Sequence, residues 1–282
     1  MNLLGPAEIR DLADLLGVQP TKKLGQNFVV DGNTVRKIVK AAHVEAGDDV
    51  IEIGPGLGSL TLGLLEAGAR VVAVEIDARL AAQLPRTVAE MAPESELIVV
   101  HEDALKVTEL PIAPTRLVAN LPYNISVPVL LHLLEHFDSL AAGVVMVQAE
   151  VGHRLAARPG SKIYGSPSVK AEWYGAWRIA GTVSRQVFWP VPNVDSVLVG
   201  FDRRGEPIGT LAERQATFAL VDAAFGQRRK MLRQSLGQLL GGTEAASATL
   251  EAAGIAPTSR GESLTVHDFL AVARVQIAAA GK

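Results

Sequence analysis

Hydrophobic and polar positions change rhythm twice along this chain. Residues 6–16 carry apolar side chains at helical spacing and stop at Gly17, and a second helix opens near Asn33 with Val35, Ile38, Val39 and Ala42 on one face. From residue 50 short unbroken apolar runs take over, at 50–53, 71–75, 97–100, 116–119 and 143–148, separated by helix-like segments. Strands that are apolar on every side chain are covered on both faces, so this alternation predicts a doubly wound, mostly parallel, Rossmann-like α/β sheet. Residues 173–183 and 196–201, rich in aromatic and β-branched side chains, read as two further strands. The proline-bearing Phe188-Trp189-Pro190-Val191-Pro192 between them suits an antiparallel edge better than another crossover. Past Arg203-Arg204-Gly205-Glu206-Pro207 the strand signals end and alanine and leucine recur at helical spacing. The expected organisation is an α/β domain over 1–204 and a small all-helical domain over 205–282.

Composition narrows the class. With 282 residues, 48% of them hydrophobic, the chain can bury a substantial core. No apolar run approaches the roughly 20 residues that span a bilayer, and residues 1–6 lack the basic and apolar regions of an export signal. The absence of cysteine excludes disulfides, thiolate zinc sites and a thiol nucleophile. A soluble cytoplasmic protein away from membranes is expected, without a coiled coil and as a monomer. The net charge of −3 argues against a polyanion covering the whole surface, yet cations gather in three runs. Residues 20–40 hold Lys22, Lys23, Arg36, Lys37 and Lys40; residues 151–178 hold Arg154, Arg158, Lys162, Lys170 and Arg178; Arg228, Arg229, Lys230 and Arg233 form the third. Each run is either a solvated face or part of a basic surface that steers an anionic polymer.

Candidate chemistry sits at the strand ends. The run 116–119 stops at Asn120-Leu121-Pro122-Tyr123-Asn124-Ile125-Ser126, which delivers an amide side chain and a carbonyl where open α/β sheets hold their ligands. Pro122 fixes its own φ and biases Leu121 toward extended backbone, so the Asn120 amide and the Leu121 carbonyl share one rigid turn. Two acceptors beside the Tyr123 ring suit a planar guest bearing an NH₂ group. The plainer alternative is a strand-to-helix turn with Ser126 as N-cap and Pro128 in the first helical turn. Upstream, Glu52-Ile53-Gly54-Pro55-Gly56-Leu57-Gly58-Ser59 follows the first strand of the sheet and opens a helix. It lacks the Gly-Lys-Ser/Thr ending of a P-loop, and Ser59 stands where the dinucleotide fingerprint has its third glycine. Glu75 ends the next strand, where a carboxylate accepts both ribose hydroxyls, and Asp103 follows the third, in reach of an adenine amine. S-adenosylmethionine has the adenine, ribose and carboxylate these groups would hold, and no pyrophosphate. No metal is expected.

Other signals are set aside. His132-Leu133-Leu134-Glu135-His136 matches an inverted zinc-peptidase pattern but falls among leucines on a helix, where packing explains it. No Gly-x-Ser-x-Gly elbow supports serine hydrolase chemistry. Trp173, Tyr174 and Trp177 read as sheet core or edge rather than a base platform.

Taken together, Leu24-Gly25-Gln26-Asn27-Phe28, the Glu52–Gly58 loop, Asn120–Ser126, Phe188-Trp189-Pro190-Val191-Pro192-Asn193-Val194-Asp195-Ser196 and Phe225-Gly226-Gln227-Arg228-Arg229-Lys230 resemble the ribosomal RNA adenine dimethyltransferase family over nearly the whole chain. Pro159-Gly160-Ser161-Lys162-Ile163-Tyr164-Gly165 and the helical tail are more similar to its small-subunit, kasugamycin-resistance branch than to the antibiotic-resistance branch acting on the large subunit. The resemblance implies a methyltransferase sheet with cofactor contacts at Asn27, Val29, Gly54, Gly56, Glu75, Ile76, Asp103, Ala104 and Asn120. It implies catalysis at Asn120, Leu121, Pro122, Tyr123 and Phe188, with Phe188 and Tyr123 sandwiching the target adenine. The implied reaction is S-adenosylmethionine-dependent double methylation at N6 of two adjacent adenines near the 3′ end of small-subunit (16S) ribosomal RNA, as RNA or 30S precursor, in ribosome biogenesis. RNA backbone would then be held by Lys22, Lys23, Arg154, Arg158, Lys162, Arg228, Arg229, Lys230 and Arg233, or the last four would instead join the helical domain to the catalytic one. Departures are Val29 where the family has leucine, Trp189 where a smaller residue is common, and Asn193 in place of a lysine, which removes one possible RNA contact. The alternatives at this point are a large-subunit (23S) methyltransferase conferring antibiotic resistance, a methylase of DNA adenine or protein glutamine, and a non-catalytic ribosome-assembly factor on the same scaffold. Intact Asn120, Pro122, Tyr123, Glu75 and Gly54 speak against a disabled site.

Overall fold

The computed structural model describes residues 3–18 and 27–280. Two compact units emerge: Met1–Gly152 with Trp177–Arg203, and His153–Ala176 with Arg204–Lys282. The chain runs α1 (Pro6–Leu15), β1 (Phe28–Val29), α2 (Gly32–Ala41), β2 (Asp49–Ile53), α3 (Ser59–Glu66), β3 (Arg70–Glu75), α4 (Ala78–Met91), β4 (Leu97–His101), β5 (Arg116–Asn120), α5 (Ser126–His136), β6 (Ala142–Gln148), α6 (Ala149–Leu155), α7 (Ser166–Tyr174), β7 (Gly175–Val183), β8 (Phe188–Trp189) and β9 (Ser196–Arg203). Five further helices follow: α8 (Leu211–Gly226), α9 (Leu232–Ser235), α10 (Gly237–Leu240), α11 (Thr243–Ala252) and α12 (Val266–Ala280).

In the first unit the sheet order is β4-β3-β2-β5-β6-β9-β7. The pairs β2/β3, β2/β5, β3/β4 and β5/β6 are parallel, and β6/β9 is antiparallel. After β2 the chain builds outward through β3 and β4, then returns to add β5 on the opposite side of β2. That reversal opens a crevice beyond the carboxyl ends of β2 and β5, where this class of sheet binds ligands. The apolar runs become strands covered on both faces: Val71, Val72, Ala73 and Val74 are all buried, as are Leu117, Val118 and Ala119. Helices α2 and α3 pack closely because residue 63 is glycine; a Cβ there would collide with Val35 Cγ1. Asp31 caps α2, its carboxylate accepting the Thr34 N–H at 2.8 Å.

Two sequence expectations are corrected. Trp173 and Tyr174 do not begin a strand; they end α7, which Pro167 starts in its first turn. The all-helical unit is not confined to 205–282, since 153–176 belongs to it as well. One physical reason covers both: the Trp173 and Tyr174 rings pack edge-on against Phe218 of α8, at centroid distances of 5.8 and 6.4 Å. Aromatic residues that looked like sheet edge are core of the helical unit, whereas Trp177 does stack on Phe201 within the sheet, at 5.1 Å. The second unit is also braced by polar contacts. Tyr164 is buried, and its hydroxyl donates to the Leu264 carbonyl at 2.9 Å. Thr210 caps α8 and Glu213 returns a bond to the Thr210 N–H at 2.7 Å, a reciprocal pair that satisfies two helix-end donors.

Candidate active site

The crevice at the carboxyl ends of β2, β3 and β5 brings together the residues expected to touch the cofactor: Asn27, Val29, Gly54, Gly56, Glu75, Ile76, Asp103, Ala104 and Asn120 all line it. Gly54 and Gly56 have φ of +65° and +57°, a region that strains residues with a Cβ. Gly56 is also backed by a ring, since a Cβ would come within 2.7 Å of Phe28 Cε1. The turn presents backbone to Glu75: the Gly56 N–H donates to Oε2 at 3.1 Å and the Asp77 N–H to Oε1 at 2.9 Å. Burial pushes the Glu75 carboxyl up, and these two N–H bonds pull it back. Its remaining lone pairs suit hydroxyl donors. Asp103 is fixed by the Leu105 N–H on Oδ1 at 3.0 Å. Ile76 is 56% exposed, an apolar side chain left open on the rim where a flat ring can lie.

The corner expected to be catalytic follows directly from β5. Asn120 is the strand's last residue, and its Nδ2 donates to the Asn27 carbonyl at 2.9 Å. With the amide nitrogen so committed, the oxygen is the end that accepts. Leu121 is anchored by its N–H on the Met146 carbonyl at 3.1 Å, while the next carbonyls are used locally: Pro122 accepts from Ile125 N–H and Tyr123 from the Ser126 hydroxyl. Among the described residues none donates to the Leu121 carbonyl. Tyr123 is half-buried and its hydroxyl shares a 2.8 Å bond with Ser196 Oγ at the start of β9, which fixes the ring beside the corner. Ile125, not Ser126, is the N-cap of α5.

Phe188 stands apart from this grouping. It is 2% exposed and, like Leu121 and Tyr123, is not among the residues lining the crevice; its strand β8 pairs antiparallel with β1, Val29 opposite Phe188 and Phe28 opposite Trp189. This ribbon was not legible in the pattern of the chain, being only two residues long on each side. It matters to the site, for it holds the segment whose Asn27 carbonyl orients Asn120, and Phe28 stacks on Trp189 at 6.3 Å.

Sequence reasoning also passed over Glu52 and Ser59, both of which line the crevice. Glu52 is 1% exposed and takes the Thr61 hydroxyl at 2.6 Å. Burial, opposed by the Thr61 bond and reinforced by Glu75, raises its carboxyl to about 8. A carboxylate inside an otherwise apolar strand was the available signal.

The basic runs divide. Lys22 and Lys23 lie outside the described residues. In the second unit Arg158, Lys162, Arg229 and Lys230 are exposed, and Arg154 and Arg233 are half-buried. Arg228 brings two of the runs together: its Nε bonds Glu262 Oε2 at 2.9 Å and its guanidinium donates to the Lys162 carbonyl at 2.8 Å. Of the two roles expected for it, RNA contact and bracing, these bonds supply a brace within the second unit. The His132 and His136 rings lie 4.4 Å apart, with His132 Nε2 bonded to the Val107 carbonyl at 2.8 Å, so their spacing serves local packing.

Among the described residues, the crevice lining contains four carboxylic acids, Glu52, Glu75, Glu102 and Asp103, and no cationic side chain. Such a lining suits a ligand of net positive charge without phosphate, as S-adenosylmethionine is, and the buried Ser59 hydroxyl, which has no partner, adds a donor for its carboxylate.

Comparison with known proteins agrees. The family model for ribosomal RNA adenine dimethylase matches residues 18–277. A ribosomal RNA small subunit methyltransferase A from Leifsonia xyli subsp. xyli is 71% identical over 275 residues, covering 97% of this chain and 98% of that protein. One of the same description from Streptomyces coelicolor is 58% identical, covering 98% and 97%. Among solved structures, a dimethyladenosine transferase from Plasmodium falciparum aligns with a TM-score of 0.73 at 25% identity, over 86% of this chain and 94% of that one. The 23S rRNA methyltransferase ErmE aligns with a TM-score of 0.66 at 25% identity, over 89% and 100%. The chain belongs to the ribosomal RNA adenine dimethylase family, in its small-subunit branch, and is a methyltransferase using S-adenosylmethionine.

Proposed function

We propose that this enzyme dimethylates N6 of two adjacent adenines near the 3′ end of small-subunit ribosomal RNA, acting as a cytoplasmic monomer on a 30S precursor or its RNA. The observation that carries the reading is the Asn120 amide, whose nitrogen donates to the Asn27 carbonyl so that its oxygen is left to accept, beside a Leu121 carbonyl to which none of the described residues donates. Adenine N6 is a poor nucleophile because its lone pair is conjugated with the ring. Two acceptors that take its hydrogens rotate the lone pair out of that plane, and fixing it there supplies much of the catalysis by orientation. The bound cofactor supplies an electrophilic methyl group on sulfonium. Glu75 and Asp103 hold the ribose and adenine of that cofactor, the glycine turn gives its backbone close approach, and Tyr123 supports the target ring by stacking. Reaching N6 requires an unstacked adenine, and exposed Arg158, Lys162, Arg229 and Lys230 hold the flanking RNA backbone. Among the described residues no helix is long and apolar enough to cross a membrane. The test offers isotopically labelled S-adenosylmethionine to unmethylated small subunits, large subunits and naked RNA and maps the label. Dimethyladenine at adjacent positions near the 3′ end of small-subunit RNA is expected; label confined to the large subunit, or none at all, overturns the proposal.

A further inference from the structure

We infer that His132 is a positioning residue for the adenine end of the cofactor, holding the turn that carries Asp103 and Ala104 in place relative to the Asn120 corner. The inference rests on the reading above in which Asp103 accepts from the cofactor's adenine amine. That turn needs an anchor. Asp103 and Ala104 line the crevice just past β4, the outermost strand on that side of the sheet, and residues 102–115 run on to β5 without helix or strand. On the sheet side the segment is tied by the Glu102 N–H, which donates to the Glu75 carbonyl at 3.1 Å. Within the turn Asp103 is used twice. Its Oδ1 takes the Leu105 N–H at 3.0 Å, and its carbonyl takes the N–H groups of Lys106 at 2.8 Å and Val107 at 3.3 Å. These bonds make one piece of Asp103 to Val107.

His132 holds the far end of that piece. Its Nε2 meets the Val107 carbonyl at 2.8 Å, and since a carbonyl only accepts, Nε2 is the nitrogen that carries the proton and donates. Among the described residues no other group donates to that carbonyl, and Val107 itself is 1% exposed. Loss of the bond leaves the carbonyl of a buried residue without a partner, which favours a shift of the turn. The His136 ring, 4.4 Å away and one helical turn further on, packs against His132 and limits its rotation. Helix α5 gives the bond its reach. Asn124 and the N-cap Ile125 line the crevice at the corner, and His132 stands about two turns along the same helix. One element thus runs from the corner to the Asp103 turn and sets the separation between the adenine site and the site of methyl transfer. His132 is not among the residues lining the crevice, so it acts through Val107.

The test compares two variants that keep a polar amide on this half-buried face and open less of a cavity than alanine would. A glutamine amide nitrogen reaches about as far as histidine Nε2, whereas that of asparagine falls one methylene short. Calorimetry on the intact protein measures S-adenosylhomocysteine against S-inosylhomocysteine, whose ring has an oxygen in place of the amine. The unaltered protein is expected to prefer the adenosyl ligand by about tenfold or more, because a group built to pair an amine is left unpaired by the analogue. His132→Asn is expected to weaken the adenosyl ligand by about tenfold and bring the preference close to one, while His132→Gln restores both to within about twofold. In methyl transfer to small subunits, His132→Asn should raise the KM for S-adenosylmethionine by about tenfold and change kcat at saturating cofactor by less than about twofold. A merely structural role would instead lower the thermal midpoint and kcat and leave the ligand preference in place. An unchanged preference in His132→Asn overturns the inference, as does a loss confined to kcat or a His132→Gln variant that behaves like His132→Asn. No preference in the unaltered protein removes Asp103 from the adenine, and the inference falls with that assignment.

Discussion

In the first unit the charges that matter are carboxylates held inside a crevice; in the second they are cations held outside on a helical body. Glu75 is gripped by two backbone N–H groups and Glu52 by the Thr61 hydroxyl, all from the strand-turn-helix segments that build the crevice. Arg158, Lys162, Arg229 and Lys230 sit on the surface, where a neighbour distant in sequence can recruit a cation into another task, as Glu262 does with Arg228. On the proposal above, the interior set recognises a small ligand by position. The exterior set, on the proposal above, recognises a polymer by field alone, which is weaker per residue and screened by salt.

The contrast breaks most visibly at the corner of β5. Asn120→Ala removes one of two acceptors aimed at the amine, and single-turnover transfer is expected to fall by about 10²–10³ with the thermal midpoint unchanged. Near-normal transfer would remove the amine clamp. Glu75→Ala takes away the charged acceptor; loss of a charge-assisted bond worth about 1.5–3 kcal/mol corresponds to cofactor binding weaker by about tenfold to a hundredfold, read by calorimetry. Gly56→Ala tests the backbone's part. Its φ of +57° and the Phe28 ring behind it should cost about 1–2 kcal/mol, seen as a lower denaturation midpoint and weaker cofactor binding together. On the exterior, Lys230→Ala should leave cofactor affinity unchanged and lower the salt slope of RNA binding by about 1, whereas Arg228→Ala should loosen the helical unit with less change in that slope. Identical slopes for the unaltered protein and Lys230→Ala would take that lysine out of the RNA surface.

What could be read in the sequence follows the same division. Strands β2 to β6, the glycine turn, Glu75, Asp103 and the Asn120 corner were legible because apolar runs fix strand ends and strand ends fix the crevice. The β1–β8 ribbon was not, since two-residue strands carry no periodicity and pair residues far apart in the chain. Trp173 and Tyr174 misled for a related reason: aromatic side chains suit a strand or a helix equally until a partner such as Phe218 is known. Phe188 could be singled out by resemblance alone, since it is a buried apolar residue that, like Tyr123, lies outside the lining of the crevice. Glu52 was visible as an acid in an apolar run, but its burial beside Glu75 depends on the fold.

The most direct test of the central claim is a structure of the protein with a non-reactive, positively charged S-adenosylmethionine analogue and an RNA carrying the target adenine. The account predicts the analogue's reactive end facing the Asn120 to Tyr123 corner, with the adenine N6 roughly 3–3.5 Å from the methyl position and its hydrogens on Asn120 Oδ1 and the Leu121 carbonyl. A reactive end turned away from that corner, or an N6 held by other groups, would contradict it.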